Sequence, residues 1–195
     1  MKAVVGLGNP GARYEATLHN VGWWLLDELK RRWSATPFQE DDLWLRSTAE
    51  VSGVGEVLLV KPVTYVNRSG VAVRLLTEWE ALDIEEDLLV VVDDTALEPG
   101  RPRFRARGSA GGHNGLASIE AALGTRDYPR LRIGVGGPPA GVDSADWVLS
   151  EFDDPAAEDA VLASLPRLAE GVELWARQGI EAAMNRYNAA PPAAE

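Results

Sequence analysis

The 195 residues contain no cysteine. Disulfides, thiolate metal sites and a cysteine nucleophile are therefore excluded, and the chain suits a reducing cytoplasm. Histidine is nearly as scarce, with His19 and His113 alone. No apolar run approaches the ~20 residues that a membrane helix needs. The opening MKAVVGLGNPG is too short an apolar run for a signal peptide and leads straight into a turn. Internal repeats are missing, and the only low-complexity tract is the terminal AAPPAAE, which reads as a frayed tail. No stretch qualifies as a linker. Residues 1–188 are accordingly expected to form a single domain, large enough to bury a core without staples, and residues 189–195 a disordered or frayed tail.

Positive charge is also in short supply. The formal net charge is −11, which taken alone argues against a nucleic-acid partner. The average hides a sign split. Between Arg101 and Arg132 stand seven arginines (101, 103, 105, 107, 126, 130 and 132) against Glu120 and Asp127, a local balance of +5 that leaves −16 for the rest of the chain.

What is present alternates strand and helix patterns. Lys2 to Leu7 is a β-branched apolar run ending at Gly8-Asn9-Pro10-Gly11, a buried strand running into a turn. Leu18, Val21, Leu25, Leu29 and Trp33 recur at helical spacing, with Thr17 as the expected N-cap. Val57 to Val60 reads as a strand and Tyr65 to Leu82 as a helix. Asp87 to Asp93 is the most apolar strand and is expected at the centre of the sheet. Arg101 to Arg107 places arginine at period 2, so one strand would present all four on one face. Gly115 to Leu123 reads as a short helix, Leu131 to Val135 as a strand, and 136–144 (GGPPAGVDS) as a Gly/Pro-rich loop and candidate lid. Residues 155–188 are helical, acidic and amphipathic. The expected fold is an α/β sandwich on a mostly parallel sheet.

Four segments carry chemistry. Gly6-Leu7-Gly8-Asn9-Pro10-Gly11 matches a dinucleotide-binding fingerprint. Three features oppose that reading: Pro10 removes an N–H where phosphate would be cradled, the helix starts several residues late, and Lys30 to Glu40 is no clean strand ending in a ribose-binding acid. Glycines alone would serve a tight turn. Asn9 does not follow from a turn, because it places an amide at the C-terminal edge of the sheet, where α/β sites lie. His19 falls at the start of a helix, whose positive end disfavours imidazolium and keeps the ring able to accept a proton. An isolated histidine there is more often an ordinary surface or core residue than a catalyst. Asp93-Asp94 ends the apolar strand, so Asp93 can hold the His19 ring in one tautomer and stabilise the imidazolium formed in proton transfer. A solvated loop start is the bland reading. Joining Asp93, Asp94, His19 and His113 would make a metal site, but no metal-binding spacing is present and none is expected. Gly108 to Gly115 (GSAGGHNG) is a loop that a substrate can approach closely, with Asn114 offering both amide functions. Lys61 to Asn67 (KPVTYVN) adds an aromatic and another amide at a strand-to-helix join.

No serine occupies a nucleophile elbow. A His–Asp pair without a side-chain nucleophile leaves general-base activation of water. Separated asparagines can bind a peptide backbone or support an oxyanion without adding charge, and a basic strand nearby would bind phosphates. Together these parts describe hydrolysis of an acyl group carried by a nucleic acid.

The same segments, VVGLGNPGARYEATLHNVG, KPVTYVNRSG, VVDD…PG and GSAGGHNGLASI followed by RLRIGVG, resemble the bacterial peptidyl-tRNA hydrolase family, in order, from residue 3 to about 150. The resemblance implies a single three-layer α/β/α domain with a twisted, mixed sheet, monomeric, cytoplasmic and without metal or nucleotide cofactor. It implies release of peptides or N-blocked amino acids from tRNA by cleavage of the ester to the terminal ribose. By position, His19 resembles the catalytic base, Asp93 its supporting acid, and Asn9 the residue that helps tell blocked from unblocked aminoacyl-tRNA. Tyr14, Tyr65, Asn67 and Asn114 resemble residues that bind the peptide and the tRNA 3′ end. Arg105 and Arg132, with Arg103 assisting, resemble a clamp on the 5′ phosphate of the acceptor stem. The chain departs from the family pattern at Ala96, where a further acid is frequent, and at Leu18, where arginine often precedes the histidine. Its candidate lid lacks Lys and Arg, and its C-terminal helix is strongly acidic. The Arg101–Arg132 strip is left as the expected hold on tRNA. The rival reading, an RNA-binding relative that has lost catalysis, is opposed by the intact His19, Asp93 and Asn9 set.

Overall fold

The computed structural model describes residues 1–189; of the expected tail, everything from residue 190 onward lies outside the described residues. Seven strands are present among them: β1 (Lys2–Gly6), β2 (Gln39–Glu40), β3 (Trp44–Val51), β4 (Gly55–Pro62), β5 (Leu88–Asp94), β6 (Pro102–Arg105) and β7 (Arg130–Gly134). The helices are α1 (Val21–Arg32), α2 (Ser69–Trp79), α3 (Asn114–Leu123), α4 (Ser144–Val148), α5 (Pro155–Gln178) and α6 (Ile180–Tyr187). The strands form one mixed sheet in the order β2-β3-β4-β1-β5-β7-β6. β4, β1, β5 and β7 are parallel neighbours, while β3 and β6 run against them.

The period-2 alternation of the inner strands explains the three layers. Val4, Leu89 and Val91 face one core, shared with α1, α5 and α6. Ala3, Val5, Leu88, Val90 and Val92 face the other, shared with α2 and α3. Every residue of β5 is buried, as its apolar run requires, although β1 rather than β5 is the middle strand.

The structure corrects several sequence-based boundaries. Thr17 does not cap α1. Its hydroxyl donates back to the Tyr14 carbonyl, and Leu18–Asn20 form a 3-10 turn ahead of the helix. His19 therefore precedes α1 instead of lying in its first turn. Likewise Val66–Arg68 is a 3-10 turn and α2 begins at Ser69. The expected helix 155–188 breaks at Gly179, whose φ of 83° suits glycine. The β3–β4 hairpin was not expected, because β3 (WLRSTAEV) buries Ser47 beside Trp44, Ala49 and Val51 and shows no clean apolar alternation. β6 covers only Pro102–Arg105, so Arg101 and Arg107 fall outside it, and four arginines do not share one strand face.

One close approach places the site. The start of α1 lies against β1 and β5, where a methyl at Gly22 would come within 2.7 Å of the Leu7 carbonyl and 2.8 Å of that of Val91. A methyl at Gly6 would meet the Gly22 carbonyl at 2.6 Å. These two glycines let the turn carrying His19 reach the end of β5. Gly22→Ala is expected to destabilise the fold by about 1–3 kcal/mol through overpacking against backbone. Thermal unfolding reads this directly, and an unchanged midpoint would refute the packing argument.

Candidate active site

Asp93 emerges at the C-terminal edge of β5, 2% exposed. Its Oδ1 lies 2.5 Å from His19 Nδ1 and 3.1 Å from His113 Nε2. The two rings are 5.0 Å apart and tilted by 48°. His113 is the N-cap of α3, and its Nδ1 accepts from the Gly115 and Leu116 backbone N–H groups at 3.1 and 3.2 Å. An accepting Nδ1 is unprotonated, so the neutral ring carries its proton on Nε2 and donates it to Asp93. His19 in turn donates from Nδ1 to the same oxygen. The lone pair of His19 Nε2 is left free, and no described residue engages it. Burial pushes the Asp93 carboxyl up, but attraction to His19 and His113 and their two hydrogen bonds outweigh it and hold Asp93 well below the usual carboxylate range.

One ring nitrogen from each of His19 and His113 and an Asp93 oxygen lie within 4.8 Å of one another, close enough to invite a metal ion. Their hydrogen bonding argues for protons instead. A metal on His113 Nε2 would require either an imidazolate or loss of the α3 cap. A metal on His19 Nδ1 would move the remaining ring proton to Nε2 and remove the base.

His19 is held from behind by Leu18, which is fully buried and whose N–H donates to the Ser150 carbonyl at 3.0 Å. Thr17 also bridges to Glu151, joining this turn to the segment after α4. Two chambers meet at His19. The first is bounded by Asp93, Asp94, Gly111, Gly112, Asn114 and Arg132. The second is bounded by Asn9, Tyr14, Tyr65, Asn67, Arg68 and Asn114, with Val148 of α4 bordering both. Asn9 Oδ1 accepts the Val66 N–H at 3.0 Å, which fixes the amide and leaves its Nδ2 without a partner among the described residues. Tyr14 and Tyr65 meet edge to face at 6.3 Å, and Tyr65 and Asn67 are exposed.

A groove lined by Arg103, Arg105, Arg107 and Arg132 shares Asp94, Gly111 and Arg132 with the first chamber. Arg101 is not among its lining residues. Three of the seven arginines counted in this region pair within the protein: Arg126 lies 3.3 Å from Glu120, and two others serve the glycine loop. Arg130 is 1% exposed and donates to the Gly108 and Arg126 carbonyls. Arg132, with a side chain 13% exposed, donates to the Ser109 and Ala110 carbonyls and lies 3.4 Å from Asp94. They shape the glycine loop, while Arg103, Arg105 and Arg107 supply cations without an acidic partner among the described residues.

The expected residues thus gather in two linked groups: Asn9, Tyr14, His19, Tyr65, Asn67, Asp93 and Asn114 around the chambers, and Arg103, Arg105 and Arg132 along the groove. Sequence reasoning missed the contribution of His113. A histidine directly before a helical run, in a glycine loop, was the available signal for a capping role. Two of the glycines that mimic a dinucleotide fingerprint serve packing instead, since a methyl on Gly6 would strike the Gly22 carbonyl and one on Gly8 would strike Trp23, while Gly11 serves the turn with a φ of 103°.

A family model for peptidyl-tRNA hydrolase matches residues 3–195. The peptidyl-tRNA hydrolase of Symbiobacterium thermophilum is 50% identical over 193 residues, covering 96% of this chain and 98% of that protein. The one from Syntrophomonas wolfei is 46% identical over 197 residues, covering 96% and 100%. The crystal structure of peptidyl-tRNA hydrolase from Acinetobacter baumannii is similar with a TM-score of 0.90 at 30% identity, covering 99% of this chain and 97% of that one.

His113→Ala removes a helix cap and one donor to Asp93. It is expected to cost about 1–2 kcal/mol near neutral pH. The folded-state pKa of Asp93 is depressed, so the stability it contributes is present above the ordinary value of 3.8 and is lost as pH falls below it. The gap in thermal midpoint between wild type and variant should therefore narrow below that pH. A gap independent of pH would mean that His113 does not support the ionised carboxylate.

Proposed function

The chain belongs to the peptidyl-tRNA hydrolase family, and we propose that it cleaves the ester between a peptide, or an N-blocked amino acid, and tRNA with water that His19 deprotonates. The observation that carries this mechanism is the His19 ring, bound through Nδ1 to Asp93, without a described partner at Nε2, and lining both chambers. Nε2 takes a proton from water, and the hydroxide adds to the ester carbonyl. Asp93 stabilises the imidazolium that forms. Asn9 Nδ2 and the Asn114 amide steady the tetrahedral oxyanion. Collapse expels the ribose oxygen, which recovers the proton from His19, and free peptide and tRNA leave.

In this reading Tyr14, Tyr65 and Asn67 receive the peptide and the 3′ end, and Asn9 contributes to the choice of blocked over unblocked aminoacyl groups. Arg105, with Arg103 beside it and Arg132 at the groove floor, clamps the 5′ phosphate of the acceptor stem. Continuity of the groove with the first chamber supports this, because a phosphate held there keeps the acyl end beside His19. Residues 1–188 act as one domain and one monomer in the cytoplasm. One sheet running through the chain and the return of α6 onto β6 support the single unit. No described helix is long and apolar enough to cross a membrane.

His19→Ala is expected to slow turnover of N-acetylaminoacyl-tRNA by ~100- to 10,000-fold without unfolding the protein. Near wild-type turnover would eliminate the general-base mechanism. Arg105→Ala should weaken tRNA binding, lower the salt slope of log K by about 1, and spare hydrolysis of a small N-blocked amino-acid ester. Equal losses on tRNA and small ester would remove the clamp.

A further inference from the structure

Asn20 follows His19 in the same 3-10 turn and is 1% exposed. Both polar atoms of its side chain are spent on the main chain of one residue. Its Oδ1 accepts the Asn9 N–H at 2.8 Å, and its Nδ2 donates to the Asn9 carbonyl at 3.0 Å. The Asn9 side chain is then tied by Oδ1 to the Val66 N–H. The Asn9 main chain is thereby clasped from the His19 turn and its amide from the turn before α2. Among the described residues the Asn9 Nδ2 donor alone is left over, and Asn9 borders the second chamber beside His19.

We propose that Asn20 is a positioning residue that sets where the Asn9 Nδ2 stands relative to His19 Nε2. The adjacency in sequence is the point of the device. Base and clasp hang from neighbouring backbone units, so their spacing is as stiff as one turn of 3-10 helix. Without Asn20, the N–H and C=O of the buried Asn9 lose their partners, and the loop must shift to find others. A shift of about 1 Å in an oxyanion donor can cost on the order of 100-fold in rate. The inference rests on the reading that Asn9 contributes to the reaction.

A double-mutant cycle of Asn9→Ala and Asn20→Ala, read as kcat and KM on N-acetylaminoacyl-tRNA, tests it. Asn20→Ala should lower kcat by roughly 10- to 100-fold. KM should stay near the wild-type value, because the arginine groove lies on other elements. The pH profile should keep its shape, because the His19–Asp93 pair is untouched. The double variant should be no slower than Asn9→Ala alone, which marks action through Asn9. Full kcat in Asn20→Ala, a loss carried by KM, or losses that multiply in the double variant would overturn the proposal while leaving the Asn9 reading in place. Full activity in Asn9→Ala would remove that reading, and this proposal with it. Should Asn20→Ala fail to fold, Asn20→Ser carries the same cycle. It is neutral and offers one hydroxyl in place of the amide, so it cannot hold both the N–H and the carbonyl of Asn9.

Discussion

A carboxylate buried at the end of β5 must be given hydrogen-bond donors or be neutralised, and the architecture of the site follows from how Asp93 receives them. One oxygen accepts a hydrogen bond from each of two imidazoles. That single acceptor fixes the tautomer of both rings. The constraint passes outward in two directions. Through His113 it reaches the first N–H groups of α3, which His113 caps with the nitrogen it does not lend to Asp93. Through His19 it ends at a free Nε2. A hydrogen-bond chain thus runs from a helix terminus, through two rings and one carboxylate, to the nitrogen that takes the water proton in the proposed function.

The rest of the fold brings these donors to that carboxylate. β5 is a buried interior strand, which carries Asp93 into a poorly solvated edge. Gly6 and Gly22 remove the side chains that would hold the α1 turn away from β1 and β5. Arg130 and Arg132 bind the carbonyls of the glycine loop and so hold His113 and Asn114 beside the strand end. The same two arginines form part of the floor of the groove that receives nucleic acid in the proposed function. In that proposed function an acidic protein holds an acidic substrate with cations concentrated beside the reacting bond, and part of that charge doubles as scaffold.

Asn9, His19, Asp93 and Asn114 stood out in the sequence for a local reason. Asn9 and Asp93 are polar residues at the ends of apolar runs, Asn114 lies inside a glycine loop and His19 stands at an expected helix start; together they matched one family pattern. The layer order was equally legible, because apolar runs and helical spacing report burial one element at a time. Less local features escaped. The β3–β4 hairpin depends on pairing, and its own strand has no clear alternation. The 3-10 start of α1 depends on Thr17 turning back to Tyr14. Arg130 and Arg132 counted as free charge until their carbonyl partners were visible.

The sequence by itself determined which residues could do acid–base and amide chemistry, the alternation that yields a three-layer α/β fold, and the sign split that gathers arginine between 101 and 132. Only the tertiary structure decided which donor meets which acceptor. His19 and Asp93 are 74 positions apart, His113 a further 20, and Asn20 reaches back 11 to Asn9. Periodicity reports how a segment lies against its own core. It carries no information on which strand end and which turn will be neighbours. That depends on the order of strands in the sheet and on two glycines that let a helix start touch it.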